Sequence, residues 1–225
     1  MSDPGIWISA VVLGVVAVGV ATWWLTALVL AWIERGRIRE WAKRMGLVEV
    51  AEGSALPGVL AGTTAQVRVT DGWVGERGFV LRVVTSTTPA SRHPESPFAW
   101  TLVAVRRMGA ETTVGSKATG LRPIAARVSW LDLYSVGHGR ELVLLSFPSV
   151  ECPDTFVVFG EDGSDGTQDV AATVALARSG HMADDLGVIL RGEWVVVDAT
   201  LKRFTAANLE SVWTAASKIG TEGRD

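Results

Sequence analysis

One cysteine, three histidines and one tyrosine in 225 residues leave few of the groups that most often carry protein chemistry. The lone thiol, Cys152, forms no internal disulfide, which fits a reducing compartment. It stands between Glu151 and Pro153-Asp154, and negative neighbours disfavour the thiolate that a nucleophile needs. His93, His138 and His181 are far apart in the chain, whereas a catalytic metal site usually takes three protein ligands. There is no Gly-x-x-x-x-Gly-Lys run to cradle phosphate, and Ser135, Ser146 and Ser149 lack the Gly-x-Ser-x-Gly setting of a hydrolase elbow. Residues 45–225 carry sixteen Lys plus Arg against twenty-one Asp plus Glu, so no basic field for nucleic acid is expected. Lysine is scarce, four against seventeen arginines, which with the wealth of Ala, Gly and Val points to a GC-rich bacterial genome.

The most informative absence is local. From Pro4 to Ile33 there is no Asp, Glu, Lys, Arg or His. A helix rises about 1.5 Å per residue and a bilayer core is about 30 Å thick, so roughly 20 such residues span it. The run predicts a short tail over 1–5, a transmembrane helix over 6–33, a basic juxtamembrane helix over 34–46 and a soluble domain over 47–225. Only Met1, Ser2 and Asp3 precede the apolar run, while Arg35, Arg37, Arg39, Lys43 and Arg44 follow it against Glu34 and Glu40. Basic flanks stay cytoplasmic, so the expected arrangement is a single pass through the inner (plasma) membrane, N-terminus outside and C-terminal domain in the cytoplasm. A cleaved signal peptide would need a basic leader and a small-residue cleavage site, and neither is present.

Trp7 and Trp32 lie near the two ends of the span, where indole rings favour the headgroup boundary. With the five basic residues they form the expected membrane interface. Ala10, Gly14, Ala17 and Ala21 recur at intervals of four, three and four, a face on which a second helix approaches closely. Beyond the span, Ile38, Trp41, Ala42 and Met45 share one helical face, with cations on the others and Gly46 as the stop. Such a segment serves as a plain stop-transfer flank or lies on an anionic leaflet.

The first half of the domain reads as strands. Runs at 65–70, 79–85 and 98–105 are apolar or alternating and rich in Val, and they should pair as antiparallel neighbours. The proline-rich stretch 89–97 is a surface loop. Gly72 to Gly78 reads as a hairpin loop with Trp73 exposed at its tip. Shorter strands follow at 127–133, 141–147 and 155–159. Residues 165–180 form a helix, 187–190 and 194–198 a hairpin across Arg191-Gly192, and 200–219 a closing amphipathic helix packed on the sheet. The fold class is α+β: an N-terminal transmembrane helix, then a mainly antiparallel sheet domain with two late helices.

Trp41-Ala42-x-x-x-Gly46-Leu47 after a span, then Leu56-Pro57-Gly58 and Gly62, then Phe156-Val157-Val158, a Trp194-centred hairpin and a closing amphipathic helix form a recognisable layout. It resembles a loose set of uncharacterised bacterial single-span membrane-anchored proteins. The resemblance covers most of the chain and implies the architecture; it carries over no catalytic residues.

Two chemical candidates remain. Gly160 to Gly166 is rich in carboxylates, but its spacing departs from a calcium loop and suits a turn feeding a helix. His181 precedes Asp184 and Asp185 with no second histidine nearby. No catalytic, cofactor-binding or metal residue is therefore assigned and no cofactor is expected. The reading is a cytoplasmic interaction or scaffold domain whose partners are the lipid bilayer and a protein or a second copy of the chain. The alternative is a membrane-tethered enzyme whose site is drawn from His138, His181, Asp184 or Cys152 by folding alone.

Overall fold

The computed structural model describes residues 4–55, 57, 60, 67–85, 98–107, 118–123, 142–144, 156–161, 186–200 and 202–222. Its first element is one helix, α1 (Pro4–Arg44), about 60 Å long at the usual rise. It runs unbroken past residue 33, so the apolar run and the basic flank are a single rod. The 33 residues Val12–Arg44 are long and apolar enough to cross a membrane. The two threonines within the apolar run cost little there: Thr22 and Thr26 each donate their hydroxyl to the carbonyl four residues back, both at 2.8 Å.

Gly46 ends the rod. It adopts φ +74°, the left-handed conformation that glycine takes without a Cβ penalty. Its N–H donates to the Lys43 carbonyl at 3.1 Å, and Leu47 N–H donates to the Ala42 carbonyl at 2.9 Å. These are the two bonds of a Schellman cap, and the buried pair Ala42 and Leu47 supplies its apolar contact.

Nine strands follow: β1 (Val48–Glu49), β2 (Val67–Gly75), β3 (Gly78–Thr85), β4 (Phe98–Arg106), β5 (Ala118–Pro123), β6 (Leu142–Leu144), β7 (Phe156–Glu161), β8 (Gly187–Arg191) and β9 (Trp194–Asp198). They make one sheet in the order β1-β2-β3-β4-β9-β8-β5-β7-β6, with every pairing antiparallel. The late hairpin β8–β9 thus enters the middle of the sheet beside β4. Its turn is Gly192-Glu193, one residue later than the sequence suggests, because Arg191 pairs with Trp194. Gly192 takes φ +53°, as the first central position of a type II′ turn requires. The closing helix, α2, is Ala206–Glu222. The sequence-based expectations for 89–97, 127–133 and 165–180 lie outside the described residues.

Strand alternation separates two apolar clusters. Phe79, Leu81, Val83, Trp100, Leu102, Ala104, Ile189 and Val196 share one, with Leu60 and Val69. Val80, Val103, Val105, Val188, Leu190, Val195 and Val197 share the other, as a period of two demands. This second cluster also holds Ile38, Trp41, Ala42 and Leu47 from the N-terminal end, and Leu209, Val212, Trp213, Ala216 and Ile219 from α2.

Within β2, Val69 and Trp73 are four residues apart yet belong to opposite clusters. The cause is a register shift between Val69 and Asp71: an extra residue, Thr70, inverts the alternation beyond it. Trp73 is therefore not an exposed loop tip. It is a strand residue, 2 % exposed, stacked on Phe204 with centroids 6.2 Å apart. The glycines around it answer close approach rather than a loop. A Cβ on Gly72 would meet Leu81 Cδ2 at 2.5 Å, one on Gly75 would meet the Gly46 carbonyl at 2.7 Å, and one on Gly78 would run into the Ala104 carbonyl.

Candidate functional site at the helix junction

The place where α1 meets the sheet domain gathers most of the residues that the sequence marks for a role. Ile38, Trp41 and Ala42 are 3 %, 0 % and 0 % exposed, with Met45 packed against the same cluster. The apolar face read from the 3.6-residue period is thus turned into the domain core. Trp41 meets Trp213 of α2 edge to face, centroids 5.9 Å apart at 82°, a favoured aromatic geometry. The Trp41 indole N–H has no hydrogen-bond acceptor among the described residues, so the side chain is held by packing.

Around this apolar contact lies a polar collar. Glu34, the first charged residue after the apolar run, accepts a hydrogen bond from Ala206 N–H through Oε1 at 2.7 Å. Ala206 opens α2, and a carboxylate there satisfies an otherwise orphaned donor and complements the helix dipole. The Thr205 hydroxyl accepts from Asn208 N–H at 3.3 Å, so one helix end has two caps, one of them from a residue 172 positions away. The closing helix starts at Ala206 and not at Thr200 because the backbone before it bonds otherwise: Lys202 N–H donates to the Ala199 carbonyl and Thr205 N–H to the Arg203 carbonyl, both at 2.9 Å. Thr200 bonds through its N–H and its hydroxyl to Asp198 and accepts from Thr101 N–H at 3.2 Å.

The predicted interface cations divide into groups. Arg39 donates twice to Glu49, at 3.1 and 3.2 Å, the bidentate geometry that guanidinium favours. Arg35 reaches Asp71 at 3.6 Å and Glu49 at 3.9 Å. The β2 bulge turns Asp71 to the side on which α1 lies. Arg37 is 68 % exposed and pairs with Glu34 at 3.5 Å. Lys43 and Arg44 are exposed. Trp32 is 78 % exposed at the rim of an open notch of about 330 Å³ at Gly36, flanked by Arg35, Arg37, Arg39 and Glu40. Gly14, Ala17 and Ala21 are exposed, and no atom lies within 4 Å of a Cβ built on Gly14. The side chains of Trp7 and Ala10 lie outside the described residues, as do His93, His138, Cys152, His181, Asp184 and Asp185. Among the described residues no three His, Cys, Asp or Glu side chains are grouped to hold a metal ion.

No protein-family model matches the chain, and no curated protein matches it. Its fold is similar to a solved structure, the mycobacterial trehalose monomycolate transport factor A, TtfA. The TM-score is 0.50 at 14 % identity, over 84 % of this chain and 93 % of that one. At that identity the likeness concerns the fold alone.

Sequence reasoning found the Ile38/Trp41/Ala42/Met45 face but not what covers it; it counted Glu34 only as a flank charge and gave Glu49 and Asp71 no role at the junction. A usable signal for the α2 start was present in Thr205, a good N-cap residue directly before Ala206-Ala207.

Proposed function

We propose that the chain is a single-span protein of the bacterial inner membrane whose sheet domain is held at the cytoplasmic face. In this reading it acts without catalysis, by binding a protein partner or a second copy of itself, and it belongs with the layout set that it resembles. The observation that carries the reading is the unbroken helix from Pro4 to Arg44, apolar and exposed over 12–33 and buried in the domain core at Ile38, Trp41 and Ala42. A removable signal sequence has a cleavage site between leader and domain; here regular helix occupies that place. The cations Arg35, Arg37, Arg39, Lys43 and Arg44 favour a cytoplasmic C-terminal side. A protein of similar fold is described as a transport factor, and an accessory role of that kind is compatible with a domain fixed at a bilayer.

Ser2→Cys and Glu222→Cys, each in a Cys152→Ser background, test the topology with an impermeant maleimide on intact cells. Labelling at residue 2 alone is expected, and labelling at 222 alone overturns the orientation. Purification of the full-length chain from its native cells in mild detergent tests the interaction reading. A stoichiometric partner or a defined oligomer is the expected result; a clean monomer counts against it.

A further inference from the structure

The contacts between α1 and the domain fix which end of the domain faces the bilayer, because they occur in step along four elements. Glu34 touches Ala206, and seven residues further on Trp41 touches Trp213, which is seven residues beyond Ala206. The two helices therefore run in the same direction, in register, over roughly 10 Å of axis. Strand β2 descends alongside them: Arg35 meets Asp71, Arg39 meets Glu49, which is paired with Trp73, and a Cβ on Gly75 would meet Gly46. The contacts of Glu34 with Ala206 and of Arg35 with Asp71 fall at one end of the domain. That end carries the start of α2, the turn residues before it and the strand positions level with Asp71.

The side chains at this level are cationic and aromatic. Arg82 pairs with Asp71 in the β2–β3 register, is exposed and lies over the Phe204 ring at 5.9 Å. Arg203 is exposed, one residue before Phe204. Neither guanidinium has a carboxylate partner among the described residues, since Asp71 is taken by Arg35 and Glu34 by Ala206 and Arg37. Arg37 joins this level through Glu34, with which it pairs at 3.5 Å and which caps Ala206. We infer that this end of the domain rests against the leaflet and binds anionic phospholipid headgroups through Arg37, Arg82 and Arg203, with Phe204 held between Trp73 and Arg82 as its floor. A basic side chain at an anionic surface attracts headgroups by about fivefold, and several on a surface that the helix junction prevents from turning away act together. This rests on the proposed anchoring and adds to it a lipid-selective face on the folded domain, distant in sequence from the span.

The test uses the full-length chain in nanodiscs made of equal phosphatidylcholine and phosphatidylglycerol. A photo-crosslinking benzoylphenylalanine is placed at Ala207 in one variant and at Thr214 in another, both exposed positions of α2 on successive levels of the axis. The Ala207 variant is expected to capture phospholipid, with phosphatidylglycerol several-fold over phosphatidylcholine, and the Thr214 variant little or none. Adding Arg82→Gln and Arg203→Gln should return the captured lipid to the composition of the disc, while circular dichroism reports that the fold is kept. Equal capture at the two positions, no capture at Ala207, or an unchanged preference in the double variant overturns the inference. Failure of the anchoring itself reads differently, because the chain would then not co-elute with the discs at all.

Discussion

Trp24 and Trp41 are seventeen residues apart on one continuous helix, and their surroundings have nothing in common. Trp24 is 59 % exposed in a stretch with no buried residue; Trp41 is fully buried. The upper stretch is apolar on all sides, as a helix in lipid is, and the lower stretch is amphipathic, as a helix on a protein core is. The same backbone passes from one to the other without a linker. A flexible tether would leave the domain free to sample all orientations; this junction, with Trp41 in the core and Glu34 capping α2, lets the helix set the orientation of the domain.

Truncating both tryptophans should give the largest difference between the two stretches. Trp41→Ala removes a fully enclosed side chain and its Trp213 contact and should cost about 3–5 kcal/mol, read as a lower denaturant midpoint of the full-length protein in detergent. Trp24→Ala should leave that midpoint within about 0.5 kcal/mol. Equal effects would mean that the two stretches do not differ as described. Trp41→Phe sharpens the point: it keeps much of the packing and drops an indole N–H that has no acceptor among the described residues, so it should be far milder than the alanine variant.

Next in size is Gly75→Ala, where the new Cβ would press on the Gly46 carbonyl at 2.7 Å and on Leu47 Cδ2 at 2.9 Å. Overpacking of this kind costs about 1–3 kcal/mol. Gly14→Ala, with no neighbour within 4 Å, should leave the domain's denaturant midpoint unchanged. Smaller again is Glu34→Gln, which weakens the cap on Ala206 by exchanging a carboxylate for an amide. A loss of about 1 kcal/mol or less is expected, seen by hydrogen exchange as faster opening confined to the first turn of α2.

What the sequence disclosed and what it hid divide along the same lines. The apolar run, the strands near 79–85 and 98–105 and the late hairpin are local patterns, and each was legible. The Ile38/Trp41 face was legible as a face, but its cover comes from residues some 170 positions later, which no local period reports. Gly72, Gly75 and Gly78 misled for a physical reason. Glycine in a short run signals a turn, whereas here each Cβ is excluded by an atom brought in from elsewhere in the fold. Trp73 was misplaced with them, because one bulge residue reverses the face on which every later side chain of β2 lies. Strand β5, with Gly120 and Pro123 in six residues, carries too weak a β signal to read alone and is set by its pairing with β7 and β8.

The smallest expected effect concerns the collar. Arg39 and Glu49 make two hydrogen bonds, yet their side chains are 55 % and 41 % exposed, and water screens pairs of this kind to about 1 kcal/mol or less. Arg39→Gln should therefore barely move the denaturant midpoint, with the remaining difference shrinking as salt is added. Its value lies in separating two kinds of holding. If the apolar contacts at Ile38, Trp41 and Ala42 fasten the domain to the helix, a spin-label distance between residues 28 and 214 stays sharp in Arg39→Gln and broadens in Trp41→Ala. A distribution that broadens equally in both would place the stiffness of the junction in its charges instead, where it would depend on ionic strength.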